Sequence, residues 1–471
     1  MIEMFFRPDN KTKMMNENKP KVMTLKEVPH LQRALGLWDL VFYGIVLITI
    51  TAPLPIFGII SNQARGHVAT TILIAMVAML FTAVSYGRMA SVYPLAGSAF
   101  SYVGRSISPA LGFLTGWGMV MDYMLNPILS TIWSSKAMIN ILPQIPYPVF
   151  AVFFTLLFTS LNLRGIKTSA RNNQILVIVL SVVVLIFLFY AIRFLLNTPE
   201  LTHRQLIKPF YDPQTCSLPL VLTGTSIAAL TYIGFDGIST LSEEVKNPRR
   251  NILLATVLVC LFTGIIATIE VYVSQLVWGE WGNFPDIDTA FVFVARKAGG
   301  NTLFHIMNIS LLFSCIGAGI GSMLGAARLL YGMGREDAIP KKFFGVIDSK
   351  RFIPRNNVLF VGAATLVGVF VLSYQLTAEM LNFGAFIAFM GVNLSVFFHF
   401  FIRGKSRKFI NIVPPVIGFI FCFLIWINLR IQAQIAGSIW ILIGMIVGFI
   451  KTKGFRKSIS FSSTLDSESL T

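Results

Sequence analysis

The run Gly234-Phe235-Asp236-Gly237 sets a carboxylate between two glycines inside an apolar segment covering about 218–241. An ionisable group at membrane depth is costly unless it faces protein or water, and backbone loosened by glycine must find its partners inside the protein. The segment therefore reads as a helix broken around a polar cavity. Two chemistries are open to Asp236: pairing with a cationic solute, or taking up a proton that drives transport, because burial disfavours the charged form and a nearby cation restores it. A structural alternative carries equal weight, in which the side chain caps the broken half-helix. On either reading the backbone of Tyr232, Ile233 and Gly234 lines the cavity.

A second break lies near the start of the chain. Thr49-Ile50-Thr51-Ala52-Pro53-Leu54-Pro55 carries two prolines two residues apart, which remove two backbone donors and crowd the preceding turn. Pro53 sits about as far into its segment as Gly234 does into its own. Discontinuous helices at matching positions are the mark of inverted repeats with a binding site between them, whereas a lone proline kink would mean only a bend. Thr49, Ile50, Thr51 and Ala52 lie at this break, and the resemblance set out below implies that they contact substrate.

Other polar residues are weighed against bland roles. Asp122 and Asn126 share a helix face, where Asp122 either meets a cation or, the preferred reading, makes structural hydrogen bonds. Glu270 stands alone among Ile265, Ile266 and Val271; a side chain snorkelling to solvent is preferred slightly over a part in proton coupling. Glu243, Glu244, Arg249 and Arg250 form either an ion-pair gate at the inner end of the segment or a static interface. His67, His305 and His399, like the four cysteines, have no metal-ligand spacing, so no metal or cofactor is expected. Gly332-Met333-Gly334 lacks the strand context of a nucleotide loop and no nucleophile elbow is present, which argues against an enzyme.

The elements that hold these residues follow from composition. Of 471 residues 55% are hydrophobic and 13% charged, the profile of a polytopic membrane protein. Apolar stretches of spanning length fall at 36–60, 68–90, 109–141, 148–163, 174–196, 218–241, 252–277, 303–331, 358–374, 378–401, 412–429 and 435–450. Twelve transmembrane helices are expected, in an all-α fold. With both termini cytoplasmic, only Arg65, Lys136, Arg193, Arg204, Lys208, Arg296, Lys297 and Arg430 of the 38 Lys and Arg lie outside. That asymmetry fixes the orientation and accounts for the net charge of +17 without nucleic acid. Residues 1–35 read as a polar cytoplasmic tail, 36–196 and 218–402 as the two repeats, 197–217 as an outer loop, 403–451 as helices 11 and 12, and 452–471 as a Ser-rich cytoplasmic tail.

Three blocks in order carry a family likeness. Tyr86-Gly87-Arg88-Met89 is followed by Tyr93-Pro94-Leu95-Ala96-Gly97-Ser98-Ala99-Phe100, then by Gly112-Phe113-Leu114-Thr115-Gly116-Trp117 and Asp122-Tyr123. Next come Gly234-Phe235-Asp236-Gly237 through Glu243-Glu244-Val245-Lys246-Asn247-Pro248-Arg249-Arg250, and Arg328-Leu329-Leu330-Tyr331-Gly332-Met333-Gly334-Arg335. Over about 35–451 the chain resembles the amino acid/polyamine/organocation transporters, and among them the bacterial putrescine importers. The resemblance implies a LeuT-like five-plus-five inverted repeat with discontinuous helices 1 and 6, then two peripheral helices, with substrate held between the breaks. It places Leu230 where relatives carry a gating aromatic, leaving Tyr232 or Phe235 as substitutes. Ile50-Thr51-Ala52 replaces the small residues that bind a substrate carboxylate, which fits a substrate without one, while Pro55 stands where similar importers carry an acid. Leu180 stands in place of a coupling lysine, and Ser322 is followed by Met323 rather than the second hydroxyl of a sodium site.

The reading is a secondary transporter in a cell membrane of the bacterial inner-membrane type, importing a small organic cation or amino acid with H+ as the expected coupling ion and the lipid bilayer as its surroundings. An amino acid permease or exchanger is the alternative, and a non-transporting solute receptor the rival from another class.

Overall fold

The computed structural model describes residues 35–93, 98–165, 170–198, 202–242, 244–335, 338–348, 351 and 353–451. Both tails and Glu243 lie outside them. The body is Arg33–Thr471. Its elements are helical throughout: α1 Leu37–Ile48, α2 Phe57–Gln63, α3 Val68–Val92, α4 Ser98–Ser106, α5 Pro109–Ile139, α6 Tyr147–Leu163, α7 Ala170–Leu196, α8 His203–Ile207, α9 Leu218–Ala228, α10 Pro248–Trp278, α11 Ala290–Arg335, α12 Lys341–Phe344, α13 Arg355–Val371, α14 Tyr374–Val396, α15 Phe409–Ile427 and α16 Ile431–Lys451. Two 3-10 turns, Ala229–Tyr232 and Phe235–Leu241, continue α9, and a π segment, Phe397–Arg403, continues α14. Among the described residues eight helices are long and apolar enough to cross a membrane, and α1, α6 and α13 are shorter apolar helices.

Two helices are interrupted where the sequence places prolines and glycines. The first stops at Ile48, turns through 49–56 and resumes as α2. The second loses α-helical geometry after Ala228. Elsewhere the boundaries differ from expectation. The segment expected at 303–331 belongs to α11, which begins at Ala290 and is kinked at Gly299 and Gly300, the latter with φ of 72°. Tyr374, expected to end the ninth span, instead opens α14, because the Ser373 hydroxyl accepts the Leu376 N–H and starts a new helix there.

α5 is the hub, packing against α4, α6, α11, α13, α14 and α16, while α10 packs chiefly along α3 and α1. Small residues permit the close approach: a Cβ on Gly384 of α14 would strike the Gly118 carbonyl of α5. The last helix is keyed to the hub by two indoles. Trp117 Nε1 donates to the Trp440 carbonyl (2.8 Å), Trp440 Nε1 donates to the Trp117 carbonyl (2.9 Å), and the rings stack at 5.0 Å. A buried ion pair adds a second tie, with Arg430 Nε 2.6 Å from a Glu379 carboxylate that is fully buried.

Candidate functional site

The first break can be followed bond by bond. Pro53 and Pro55 have no N–H, so the carbonyls they would serve in a continuous helix, those of Thr49 and Thr51, accept one residue early, from Ala52 (3.3 Å) and Leu54 (3.1 Å). That spends the Leu54 N–H, the α-helical partner of Ile50. Among the described residues no backbone N–H reaches the carbonyls of Ile50 or Ala52. Thr49 takes a left-handed φ of 67°, and the Thr51 hydroxyl lies 3.2 Å from that of Ser314, which ties the turn to α11.

At the second break Ile233 is extended and Gly234 has φ 117°. No side chain sits easily at that φ, and a Cβ there would lie 3.3 Å from the Leu47 carbonyl, so the two breaks abut. The Ile233 N–H donates to Leu230 (3.2 Å) and the Gly237 N–H to Gly234 (3.0 Å), and the carbonyls of Tyr232 and Ile233 lie between with no backbone donor among the described residues. Thr49, Ile50, Ala52, Leu230, Ile233, Gly234 and Asp236 are partly exposed, as are Asp122 and Asn126. Thr51, Tyr232 and Phe235 are buried. The Tyr232 hydroxyl donates to the Ile72 carbonyl (2.9 Å), and the Phe235 ring packs on Tyr86 (5.3 Å) and Phe389 (5.4 Å). Both aromatics are core side chains here.

The Asp236 carboxylate accepts from the backbone N–H groups of Gly234, Gly237 and its own residue, so it does cap the half-helix. It also acts at a distance, interacting electrostatically with Asp122 and with Tyr86, Tyr102 and Tyr123. Among the described residues no Lys or Arg pairs with either carboxylate. The Tyr86 hydroxyl is fully buried and has no hydrogen-bond partner among the described residues, although its charge environment includes both acids. Tyr86 and Tyr123 were not picked out as site residues from the sequence. The adjacency of Tyr123 to Asp122 was a usable signal, whereas Tyr86 carried none apart from its polarity in an otherwise small and apolar stretch.

Glu270 overturns the snorkelling expectation. Its side chain is fully buried and neither oxygen has a hydrogen-bond partner among the described residues. The reason is helical register: Thr263, Ala267, Glu270, Val271 and Ser274 form the inward stripe of α10, so residue 270 faces protein although its flanking residues resemble a lipid-facing surface. Of the acidic and basic residues after the second break, Glu243 lies outside the described residues and Glu244, Arg249 and Arg250 are not brought together. Glu244 is held through its backbone, its carbonyl accepting from Leu35 (3.0 Å), and among the described residues no ion pair joins it to Arg249 or Arg250, which are exposed. Arg88 donates to Asn411 (2.7 Å) and lies over the Phe400 ring.

At the far end of α5 an ion-pair cluster does form. Lys136 Nζ is 2.6 Å from Asp288 and 3.3 Å from Asp286, and Asn140 donates to the Thr289 hydroxyl (3.2 Å). The loop that carries these partners covers α2: Phe284 meets Phe57 edge-on at 5.9 Å, and a Cβ on Gly58 would collide with the Ile287 carbonyl.

Comparison with known proteins gives a consistent answer. A profile of the amino acid permease family matches residues 56–458. The low-affinity putrescine importer PlaP of Escherichia coli is 34% identical over 441 residues, covering 91% of this chain and 96% of PlaP. The branched-chain amino acid permease BcaP of Bacillus subtilis is 25% identical, covering 91% of this chain and 94% of BcaP. The methylthioribose transporter of the same organism is also 25% identical, covering 90% of this chain and 94% of that protein.

Proposed function

The chain belongs to the amino acid permease family, and we propose that it imports a small organic cation of the putrescine type by alternating access, driven by protons. On this reading the protein crosses the membrane twelve times, α1 with α2 forming the first span and α9 with its 3-10 continuation the sixth. The two sets of five are LeuT-like inverted repeats, and both termini face the cytoplasm. α2 and its covering loop then form the closed outer side, and α1 the loosened inner side. The burial pattern supports that assignment, since Phe57, Ile59 and Ile60 are wholly buried whereas Trp38 and Phe42 are 60% and 61% exposed.

One observation carries the choice of a cation. Both breaks carry carbonyls with no backbone donor among the described residues, Asp236 lies at one of those breaks, and no basic side chain among the described residues pairs with it. Acceptors without a donor at membrane depth favour an ammonium, which offers three N–H donors and a positive charge. Ile50 narrows the place where a smaller residue would admit a carboxylate. Asp236 and Glu270 are the candidates for the driving proton, and Glu243, Glu244, Arg249 and Arg250 for an inner gate remade in another state.

The likeness to BcaP supports a second reading, an amino acid permease. Uptake of labelled putrescine into proteoliposomes, with and without an inward proton gradient and in competition with spermidine, lysine, alanine and glutamate, separates the two. Gradient-dependent uptake blocked by diamines and not by alanine is expected. Background putrescine uptake with transport of an amino acid would establish the second reading instead.

A further inference from the structure

Asp236 gives a diamine one counter-charge, and Pro55 stands where a second acid was sought. We infer that Asp122 of α5 supplies the other end, so that Asp122 and Asp236 hold the two ammonium groups of one α,ω-diamine between them. The inference rests on the cation reading above and specifies the site within it.

Four features point the same way. Asp122 and Asn126 lie one helical turn apart on α5, both are partly exposed as Asp236 is, and Asp122 is close enough to Asp236 to interact with it electrostatically. The Asp122 backbone is fixed where α5 and α14 nearly touch: a Cβ on Gly384 would lie 3.3 Å from the Asp122 nitrogen. About one and a half turns further along α14, Phe389 packs on Phe235 (5.4 Å), the neighbour of Asp236, and on Tyr86 (6.1 Å). Tyr86 thus packs on the neighbour of Asp236 and interacts electrostatically with both acids, with a fully buried hydroxyl that has no hydrogen-bond partner among the described residues. A buried hydroxyl without a partner is rare because leaving it so is costly.

Charge balance explains why a dication suits the space better than a monocation. Burial with no protein cation among the described residues disfavours charge on both carboxylates; a monoamine lets one of them ionise, and a diamine lets both. The acceptors also divide into two sets. One ammonium meets Asp236 and the carbonyls freed at the breaks; the other meets Asp122, the Asn126 side-chain oxygen and the Tyr86 phenol. The four-methylene spacer lies along the apolar surface of Ile50 and Ile233.

The test compares putrescine with n-butylamine, a molecule of the same length with one charged end, as ligands of the full-length protein in proteoliposomes and in detergent. The wild type is expected to bind putrescine at least about tenfold more tightly than butylamine. Asp122→Asn should weaken putrescine about 10- to 100-fold and leave butylamine unchanged, collapsing the preference. Asp236→Asn should weaken both. Tyr86→Phe, which keeps the ring packing and removes only the hydroxyl, should lower putrescine affinity without changing that of butylamine. Thermal melting in detergent checks that each variant folds. Equal losses for both amines in Asp122→Asn, or no loss for either, would overturn the two-ended site while leaving the transporter reading intact. If Asp122→Asn did not fold, butylamine weakening as much as putrescine in Tyr86→Phe would overturn it equally. A wild type that binds neither amine would remove the cation reading on which the inference stands.

Discussion

Asp236 combines two roles that the sequence presents as rivals. Its carboxylate takes the N–H groups at the start of the half-helix and still projects charge onto Asp122 and three tyrosines. An amide at this position keeps an oxygen for the cap and loses the charge. Asp236→Asn is therefore expected to remain folded and inserted while transport falls to background at every pH; uptake equal to wild type at several pH values would dismiss it from the site. Glu270 differs in having no hydrogen-bond partner for either oxygen among the described residues. A carboxylate so placed has no role that an amide could not fill unless it exchanges a proton. Glu270→Gln should leave the fold unchanged and make uptake insensitive to the external proton gradient, and persistence of the wild-type gradient dependence would exclude it from coupling. Neither its burial nor the meeting of Tyr86, Asp122 and Asp236 was legible beforehand. Burial depends on which helical stripe turns inward, and the cluster joins three segments far apart in the chain.

Among the elements, the two breaks were the most legible part of the molecule, because proline and glycine act on the backbone locally and need no tertiary partner. Their abutment was not legible: it depends on Gly234 lying against the Leu47 carbonyl at φ 117°. A side chain there meets both a strained φ and a backbone atom, so Gly234→Ala should cost about 1–2 kcal/mol from the conformation alone. The expected result is a lower melting temperature together with loss of transport, whereas a variant with full activity would mean that the break can close without that glycine. The kink at Gly299 and Gly300 shows the opposite limit, since a glycine pair marks a loop in sequence and only the fold reveals a helix on either side of it.

Over the whole molecule, closure at one end depends on a charged latch. Burial raises the Asp288 carboxyl above the ordinary aspartate range, and Lys136 offsets only part of that rise. The sign follows from the raised value. Ionising Asp288 costs the folded state more than the unfolded one, so its contribution to stability falls as pH rises through its folded value. The ion pair with Lys136 exists only above that value. As pH falls, protonation comes earlier than for an exposed aspartate and weakens the latch, leaving Lys136 with Asp286 alone. Lys136→Met should remove it at all pH values. Accessibility of a cysteine placed at Ile59, read by thiol labelling, is expected to rise on acidification in the wild type and to be high and independent of pH in the variant. Labelling unaffected by either change would show that the loop stays shut without the charges.

The paired indoles of Trp117 and Trp440 give the molecule a fixed point of reference. Each ring donates to the other residue's carbonyl, so α16 can neither slide nor rotate on α5 without breaking two hydrogen bonds and a stack together. Any excursion of α1 or of the loop over α2 can accordingly be surveyed from α16 as a fiducial mark. A spectroscopic label near Trp440 would report the displacement of its partner label alone, separating motion of the breaks from motion of the frame that carries them.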